Sequence, residues 1–137
     1  MNGLGFDRAL GLTPAFIASV AAISAAHAVE IDDVLGRWST TEYDECGYAD
    51  NSEGAPIRIA RDEDGTSIGN YGWLCTVKTW SKDGDFLVGS GDCGSEGGDD
   101  PFTAGFRIGL NREGQLVMAQ GEAESLLRRC PPALDAE

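Results

Sequence analysis

The chain has 137 residues, with 23 acidic side chains against 10 Lys and Arg, and its net charge is −13. This surplus of negative charge excludes binding to nucleic acid or to anionic lipid headgroups, and it favours basic proteins, metal cations or no partner at all. The length fits a single domain with a modest core.

The N-terminal segment predicts an export signal. An apolar run over residues 14–26 ends at Ala26-His27-Ala28, whose two alanines fit a signal-peptidase site. The run is shorter than the roughly 20 residues that a membrane-spanning helix needs. We therefore expect residues 1–28 to be a cleaved signal peptide and residues 29–137 to be a single β-barrel domain, which is periplasmic or secreted and has no membrane span.

Cleavage after Ala28 removes His27, the only histidine of the chain. Imidazole is the usual general base at neutral pH, the partner of Ser and Cys nucleophiles, and the commonest zinc ligand. The remaining Ser, Lys and carboxylate residues define no catalytic pair by their spacing. We therefore expect no enzyme activity, no catalytic residue, no metal site and no cofactor.

The rest of the chain alternates short β-type runs with turns rich in Gly and Asp, after a helical turn at residues 31–35. The runs lie at residues 56–61, 71–80, 86–93, 103–110, 115–119 and 125–129, and turn sequences lie at residues 62–66, 81–85 and 111–114. This pattern predicts an all-β fold, an antiparallel meander that closes into a small barrel of about seven or eight strands, because closure removes exposed strand edges.

Four cysteines in a small exported domain predict two disulfides, for which three pairings exist. Cys75 and Cys93 are symmetric about Gly84, the centre of a predicted hairpin turn, so they should lie opposite each other at a distance that a disulfide can bridge. That leaves Cys46 to pair with Cys130, which joins the first strand region to the last.

The central hairpin is apolar on both faces. One face should line the core, where Gly89 and Gly91 make room for Trp73. The other face is either covered by a neighbouring segment or forms a homodimer or partner patch, and it carries Leu74, Trp80, Phe86 and Val88.

An acidic, glycine-rich loop is the first candidate for partner binding. The sequence GSEGGDDPF at residues 94–102 places Glu96, Asp99 and Asp100 among glycines. These carboxylates can enter a basic cleft, or the loop is only a solvated connection between strands. They lack the spaced-acid pattern of a calcium-binding loop.

A second acidic loop, YDECGYADNSE at residues 43–53, carries Tyr43 and Tyr48 and contains Cys46. Tyrosine is enriched at protein interfaces, so we expect these two residues to bind a partner. The alternative is that the tyrosines merely cover one end of the barrel.

Gly36-Arg37-Trp38 resembles the Gly-x-Trp start of calycin-type barrels, the superfamily of the lipocalins and the bacterial Inh-type protease inhibitors. The resemblance implies that Trp38 plugs one end of the barrel and that a late basic residue, Arg128 or Arg129, packs across it by a cation–π contact. In size, charge, export and disulfide content the chain also resembles the small periplasmic lysozyme inhibitors of Gram-negative bacteria.

Together these features predict an exported acidic binding protein that inhibits a basic cell-wall-degrading enzyme, a lysozyme. One alternative is a small-ligand or cation carrier that uses the barrel mouth. Another is an envelope protein with a structural or interaction role and no enzyme target. An inhibitor should bind lysozyme in a salt-sensitive manner, whereas a carrier should have a roomy apolar interior.

Overall fold

The computed structural model describes residues 28–95, 97–98 and 100–132, so the predicted signal peptide lies outside the described residues except for Ala28. In the described part the chain forms one short helix, α1 (Ile31–Val34), and nine strands. The strands are β1 (Gly36–Thr40), β2 (Ile57–Asp62), β3 (Gly65–Asn70), β4 (Trp73–Val77), β5 (Ser81–Asp83), β6 (Phe86–Ser95), β7 (Phe102–Leu110), β8 (Leu116–Gln120) and β9 (Ala123–Arg129).

Eight of the strands close into an antiparallel barrel, which confirms the predicted all-β fold. Two pairings close the ring: β1 pairs with β9, and β4 pairs with β6. The short strand β5 pairs only with the first part of β6 and lies outside the ring. No helix in the described residues is long and apolar enough to cross a membrane.

Both predicted disulfides are confirmed. Cys75 lies directly opposite Cys93 in the β4–β6 pair, with 4.0 Å between their Cα atoms. Cys46 is bonded to Cys130, with 5.4 Å between Cα atoms. The symmetry about Gly84 that predicted the first bond therefore describes the register of β4 and β6.

The strand β3 was not predicted, because its outward positions are not the apolar or β-branched residues typical of strands. They are Gly65, Ser67 and Gly69. A Cβ atom at Gly69 would lie 2.2 Å from the carbonyl oxygen of Trp73, so the close approach of β4 requires a glycine there. The strand β5 is a second difference, since residues 81–85 were predicted to be a turn.

Inward-facing side chains fill the barrel, and alternate residues of each strand supply them. They are buried or nearly so. The set includes Ile59, Ile68, Val77, Leu87, Phe106, Ile108, Leu116, Met118 and Leu127.

The glycines of β6 do not make room for Trp73 as predicted. A Cβ atom at Gly91 would lie 3.1 Å from Cε2 of Phe106, and one at Gly89 would lie 2.7 Å from Cγ1 of Val77. Trp80, expected on the opposite face, packs against the core instead, and its Nε1 donates a hydrogen bond to Oγ1 of Thr66 at 3.2 Å. The register between β5 and β6 is offset by one residue from that between β4 and β6. The side chains that follow β4 therefore change face before β5 begins.

Trp38 and α1 close one end of the barrel, which we call the plugged end. The indole Nε1 of the buried Trp38 donates to the carbonyl oxygen of Val34 at 2.9 Å. The guanidinium of Arg129 lies 4.3 Å from the Trp38 ring centroid and donates to the carbonyl oxygens of Leu35 (2.8 Å) and Asp33 (2.7 Å). This arrangement is consistent with a calycin-like barrel.

Candidate functional site

Strand direction decides which connections lie opposite the plugged end. In an antiparallel barrel, alternate connections lie at the same end. The β3–β4 turn, the β6–β7 loop and the β8–β9 turn therefore share one end, which we call the far end. The loop between β1 and β2 also begins there.

A groove of about 530 Å³ lies at the far end, between the β3–β4 turn and the last residues of β6. Gly72 and Gly94 leave its surface open, since a Cβ atom at either position would meet no other atom within 4 Å. Exposed apolar groups from Tyr71 and Leu74 line it beside the half-buried Trp73. The groove therefore offers apolar surface to a partner.

A smaller groove of about 130 Å³ adjoins the first on the outer face of β2, β3 and β4. Asn70 and Leu74 line both grooves. Arg58, Gly69, Leu74 and Gly94 form one outward row across the four neighbouring strands. Leu74 stands between two glycines, and its side chain is therefore a ridge between the grooves. Arg58 and Asp50 also line the smaller groove.

The acidic loop leaves β6 next to the larger groove. Asp100 is exposed, whereas Glu96 and Asp99 lie outside the described residues. Phe102, the first residue of β7, is opposite Cys93 and is exposed. We call the exposed residues Tyr71, Leu74, Phe102 and Asp100, with the two grooves, the far-end surface.

The residues between β1 and β2, 41–56, form the tyrosine loop. It folds back over the outer face of β1, where Arg37 holds it by three contacts. Nε of Arg37 donates to Oδ1 of Asp50 at 3.0 Å, Nη2 to the carbonyl oxygen of Tyr48 at 2.9 Å, and Nη1 to that of Cys46 at 3.4 Å. One arginine therefore fixes the middle of the loop.

The buried hydroxyl of Ser39 fixes the start of the same loop. Its Oγ donates to the carbonyl oxygen of Tyr43 at 2.9 Å and accepts the N–H of Glu45 at 3.0 Å. The rings of Tyr43 and Tyr48 are nevertheless exposed. The loop thus presents two aromatic rings on a backbone that is already ordered, which lowers the entropy cost of binding.

Of the predicted partner-binding residues that the structure describes, Tyr43 and Tyr48 lie on the tyrosine loop and Asp100 lies in the β6–β7 connection. Four strand-to-strand steps separate β1 from β6 around the eight-stranded ring by way of β2, β3 and β4. The tyrosine loop lies over β1 and reaches the smaller groove through Asp50, whereas Asp100 follows β6. Asp100 and the strand that carries the tyrosine loop are therefore four strands apart around the ring.

Sequence reasoning missed Arg37, Tyr71 and Phe102 as surface determinants, and it left open whether Leu74 is covered or belongs to a partner patch. The signal for Arg37 was its place between Gly36 and Trp38, because a residue next to an inward Trp in a strand points outward. The exposure of the other three depends on neighbouring glycines and on the barrel end, which a linear sequence does not show.

Many of the basic side chains in the described residues form ion pairs with carboxylates. Arg128 Nη2 donates to Oδ1 of Asp44 at 2.8 Å, and this hydrogen bond, followed by that from the N–H of Cys46, holds the pKa of Asp44 below its ordinary value. The other pairs are Arg37 and Arg58 with Asp50, Arg61 with Asp32, Lys82 with Glu30, and Arg107 with Asp83. Acids outnumber bases in the chain, so these pairs leave a strong negative surplus.

The described residues contain no group of three or more His, Cys, Asp or Glu side chains that could hold a metal ion. Comparisons of the chain with models of known protein families, with curated proteins and with solved structures give no match.

Proposed function

We propose that the protein is a periplasmic binding protein that inhibits a basic cell-wall-degrading enzyme, a lysozyme. The observation that carries this proposal is the far-end surface, where exposed apolar groups lie next to an acidic loop. Tyr71, Leu74 and Phe102 supply exposed apolar area, and the exposed Asp100 precedes Phe102 by two residues in the connection that leads into β7.

Each part of this surface has a separate physical role. Aromatic and apolar anchors that lose water on binding supply most of the affinity of a protein interface. Carboxylates at the border accelerate the encounter with a positively charged partner, because the field of a protein with a net charge of −13 draws a basic protein towards it. An acidic loop beside apolar anchors thus suits the cleft of a basic enzyme.

Export and architecture support the same proposal. Two disulfides are typical of proteins in an oxidising, exported compartment. The periplasm is such a compartment, and a lysozyme attacks the wall that it contains. The calycin-like barrel with its plugged end also fits the resemblance to the Inh-type protease inhibitors, and the size, charge and disulfide content fit that to the periplasmic lysozyme inhibitors.

The carrier alternative has less support. Buried side chains occupy the barrel interior, where a carrier of small apolar ligands needs space. A structural role in the envelope would use the same far-end surface for another partner, so it becomes one outcome of the experiment below.

Inhibition of lytic activity tests the proposal. The oxidised protein should inhibit a c-type lysozyme at micromolar concentration or below. The double variant Tyr71→Ala/Phe102→Ala should bind at least about tenfold more weakly, since loss of two anchors costs more than about 1.4 kcal/mol.

The matched control is Leu126→Ala on β9, because Leu126 is 43% exposed and Phe102 is 44% exposed. This variant should inhibit like the wild type. Absence of inhibition by the wild type at micromolar concentration would eliminate the lysozyme proposal and leave an envelope interaction role. An equal loss of inhibition in the control and in the double variant would show that Tyr71 and Phe102 are not the main anchors of the binding surface.

A further inference from the structure

The two disulfides differ in where they lie relative to the barrel wall. Cys75 and Cys93 are both buried and join two strands of the closed ring. In the outer bond Cys130 is also buried, but Cys46 is only half-buried, and the bond joins the tyrosine loop to the end of β9. A reductant can therefore reach the sulfur of Cys46 while the barrel is closed, whereas the inner bond becomes accessible only when β4 and β6 separate.

The surroundings of Cys46 favour thiolate chemistry. Nη1 of Arg128 lies 3.6 Å from Sγ of Cys46, and Nη2 of the same guanidinium is bonded to Asp44. A cation beside a sulfur attracts an incoming thiolate and stabilises the thiolate that exchange produces. The carboxylate of Asp44 fixes the guanidinium in this position.

We propose that the Cys46–Cys130 disulfide is a redox-sensitive latch on the tyrosine loop, which a dithiol oxidoreductase opens while the barrel stays folded. A thiolate of the reductant attacks Sγ of Cys46, the S–S bond breaks, and its electron pair passes to Sγ of Cys130, which takes up a proton. The second thiol of the reductant then attacks the mixed disulfide and releases Cys46 as a thiolate beside Arg128. The reductant ends as a disulfide, and two electrons have passed to the protein.

The barrel has contacts that keep it closed when this bond is open. β1 pairs with β9 at three positions, and the N–H of Cys130 donates to the carbonyl oxygen of Arg37 at 2.8 Å. The tyrosine loop keeps its contacts to Arg37 but loses its covalent anchor in the middle. Opening the latch therefore loosens the surface that carries Tyr43 and Tyr48, and this consequence does not depend on the lysozyme proposal.

Limited reduction followed by alkylation tests the latch. The folded protein is treated with dithiothreitol for increasing times, quenched with N-ethylmaleimide and mapped by mass spectrometry. Cys46 and Cys130 should become alkylated at least about tenfold faster than Cys75 and Cys93, because thiol exchange follows access to the sulfur. The far-UV circular dichroism should stay that of the oxidised protein at the point where only the outer pair is labelled.

Hydrogen exchange then measures how well the amides of the tyrosine loop are protected. The amide of Glu45, bonded to Ser39, and the amide of Tyr48, bonded to the carbonyl oxygen of Glu45, should lose protection in the singly reduced protein, while β6 and β7 keep theirs. Equal alkylation rates for both disulfides, or loss of the barrel signal together with the first bond, would overturn the latch.

A charge variant separates the role of Arg128 from simple exposure. Arg128→Gln should slow reduction of the outer bond by roughly threefold, because it removes the cation beside the sulfur. Arg107→Gln is the control, since Arg107 forms an equivalent ion pair with Asp83 but lies far from Cys46 along the ring. Equal rates in the two variants would show that the cation has no part in the exchange.

Discussion

Arg129 contacts three residues of the plugged end: Trp38, Asp33 and Leu35. It stacks on Trp38 and donates to the carbonyl oxygens of Asp33, within α1, and of Leu35, the residue that follows α1. Because the four-residue α1 has few hydrogen bonds of its own, these carbonyl groups depend on partners outside the helix. The Arg129 guanidinium therefore helps to hold α1 over the barrel, together with the hydrogen bond from Trp38 to Val34.

Substitution of Arg129 tests this dependence. Arg129→Ala should lower the free energy of unfolding by about 1–2 kcal/mol, through loss of the cation–π contact and of two charge-assisted hydrogen bonds. Arg58→Ala is the control, because the side chain of Arg58 is 60% exposed and has only a 4.0 Å contact to Asp50. Urea denaturation measures both. A loss no larger for Arg129→Ala than for the control would contradict the proposed role of Arg129.

At the scale of elements, the outward row across β2, β3, β4 and β6 holds two glycines with opposite requirements. A Cβ atom at Gly69 would meet the backbone of β4, whereas one at Gly94 would meet nothing within 4 Å. The first glycine permits the close approach of two strands, and the second only leaves a groove open.

This contrast predicts different outcomes for the same substitution. Gly69→Ala should destabilise the protein by at least about 2 kcal/mol, because the new methyl group forces β3 and β4 apart. Gly94→Ala should change stability by less than about 0.5 kcal/mol. Thermal unfolding of both variants gives the comparison. Similar melting temperatures for the two variants would mean that β3 and β4 leave room for a methyl group at position 69.

The same elements show what a sequence can reveal. Alternating runs predicted most of the strands, because a half-buried strand repeats every two residues. The symmetry of Cys75 and Cys93 predicted a register. The strand β3 could not be predicted, because it depends on the close approach of the β4 backbone. The inward position of Trp80 could not be predicted either, because it depends on the one-residue offset between the β4–β6 and β5–β6 registers. The far-end surface depends on the closed ring, which brings together residues that are distant in sequence.

On the scale of the whole molecule, net charge and local charge make separable contributions to binding. The net charge of −13 acts over the Debye length, which is about 20 Å near 20 mM salt and under about 6 Å at 300 mM. If lysozyme is the partner, its association rate should fall at least about tenfold across this range. Stopped-flow measurements at several salt concentrations give the slope.

Two charge-matched triple variants separate the acidic loop from diffuse charge. Neutralising Glu96, Asp99 and Asp100 should weaken inhibition more than neutralising Asp62, Glu63 and Asp64, because the second set lies at the β2–β3 turn, at the plugged end. Both variants lose three negative charges. Equal effects on the inhibition constant would indicate that the overall field, and not the acidic loop, governs capture.

The contact between Arg129 and the carbonyl oxygen of Leu35 also has a kinetic consequence, because these residues are 94 positions apart in the chain. The pairing of β1 with β9 spans nearly the same distance. Contacts of such long range form late in folding, after the local hairpins, since the chain must first close a large loop. The strand β9 thus both seals the ring and places the stacking arginine, so a nascent chain acquires its finished barrel only after β9 has been synthesised.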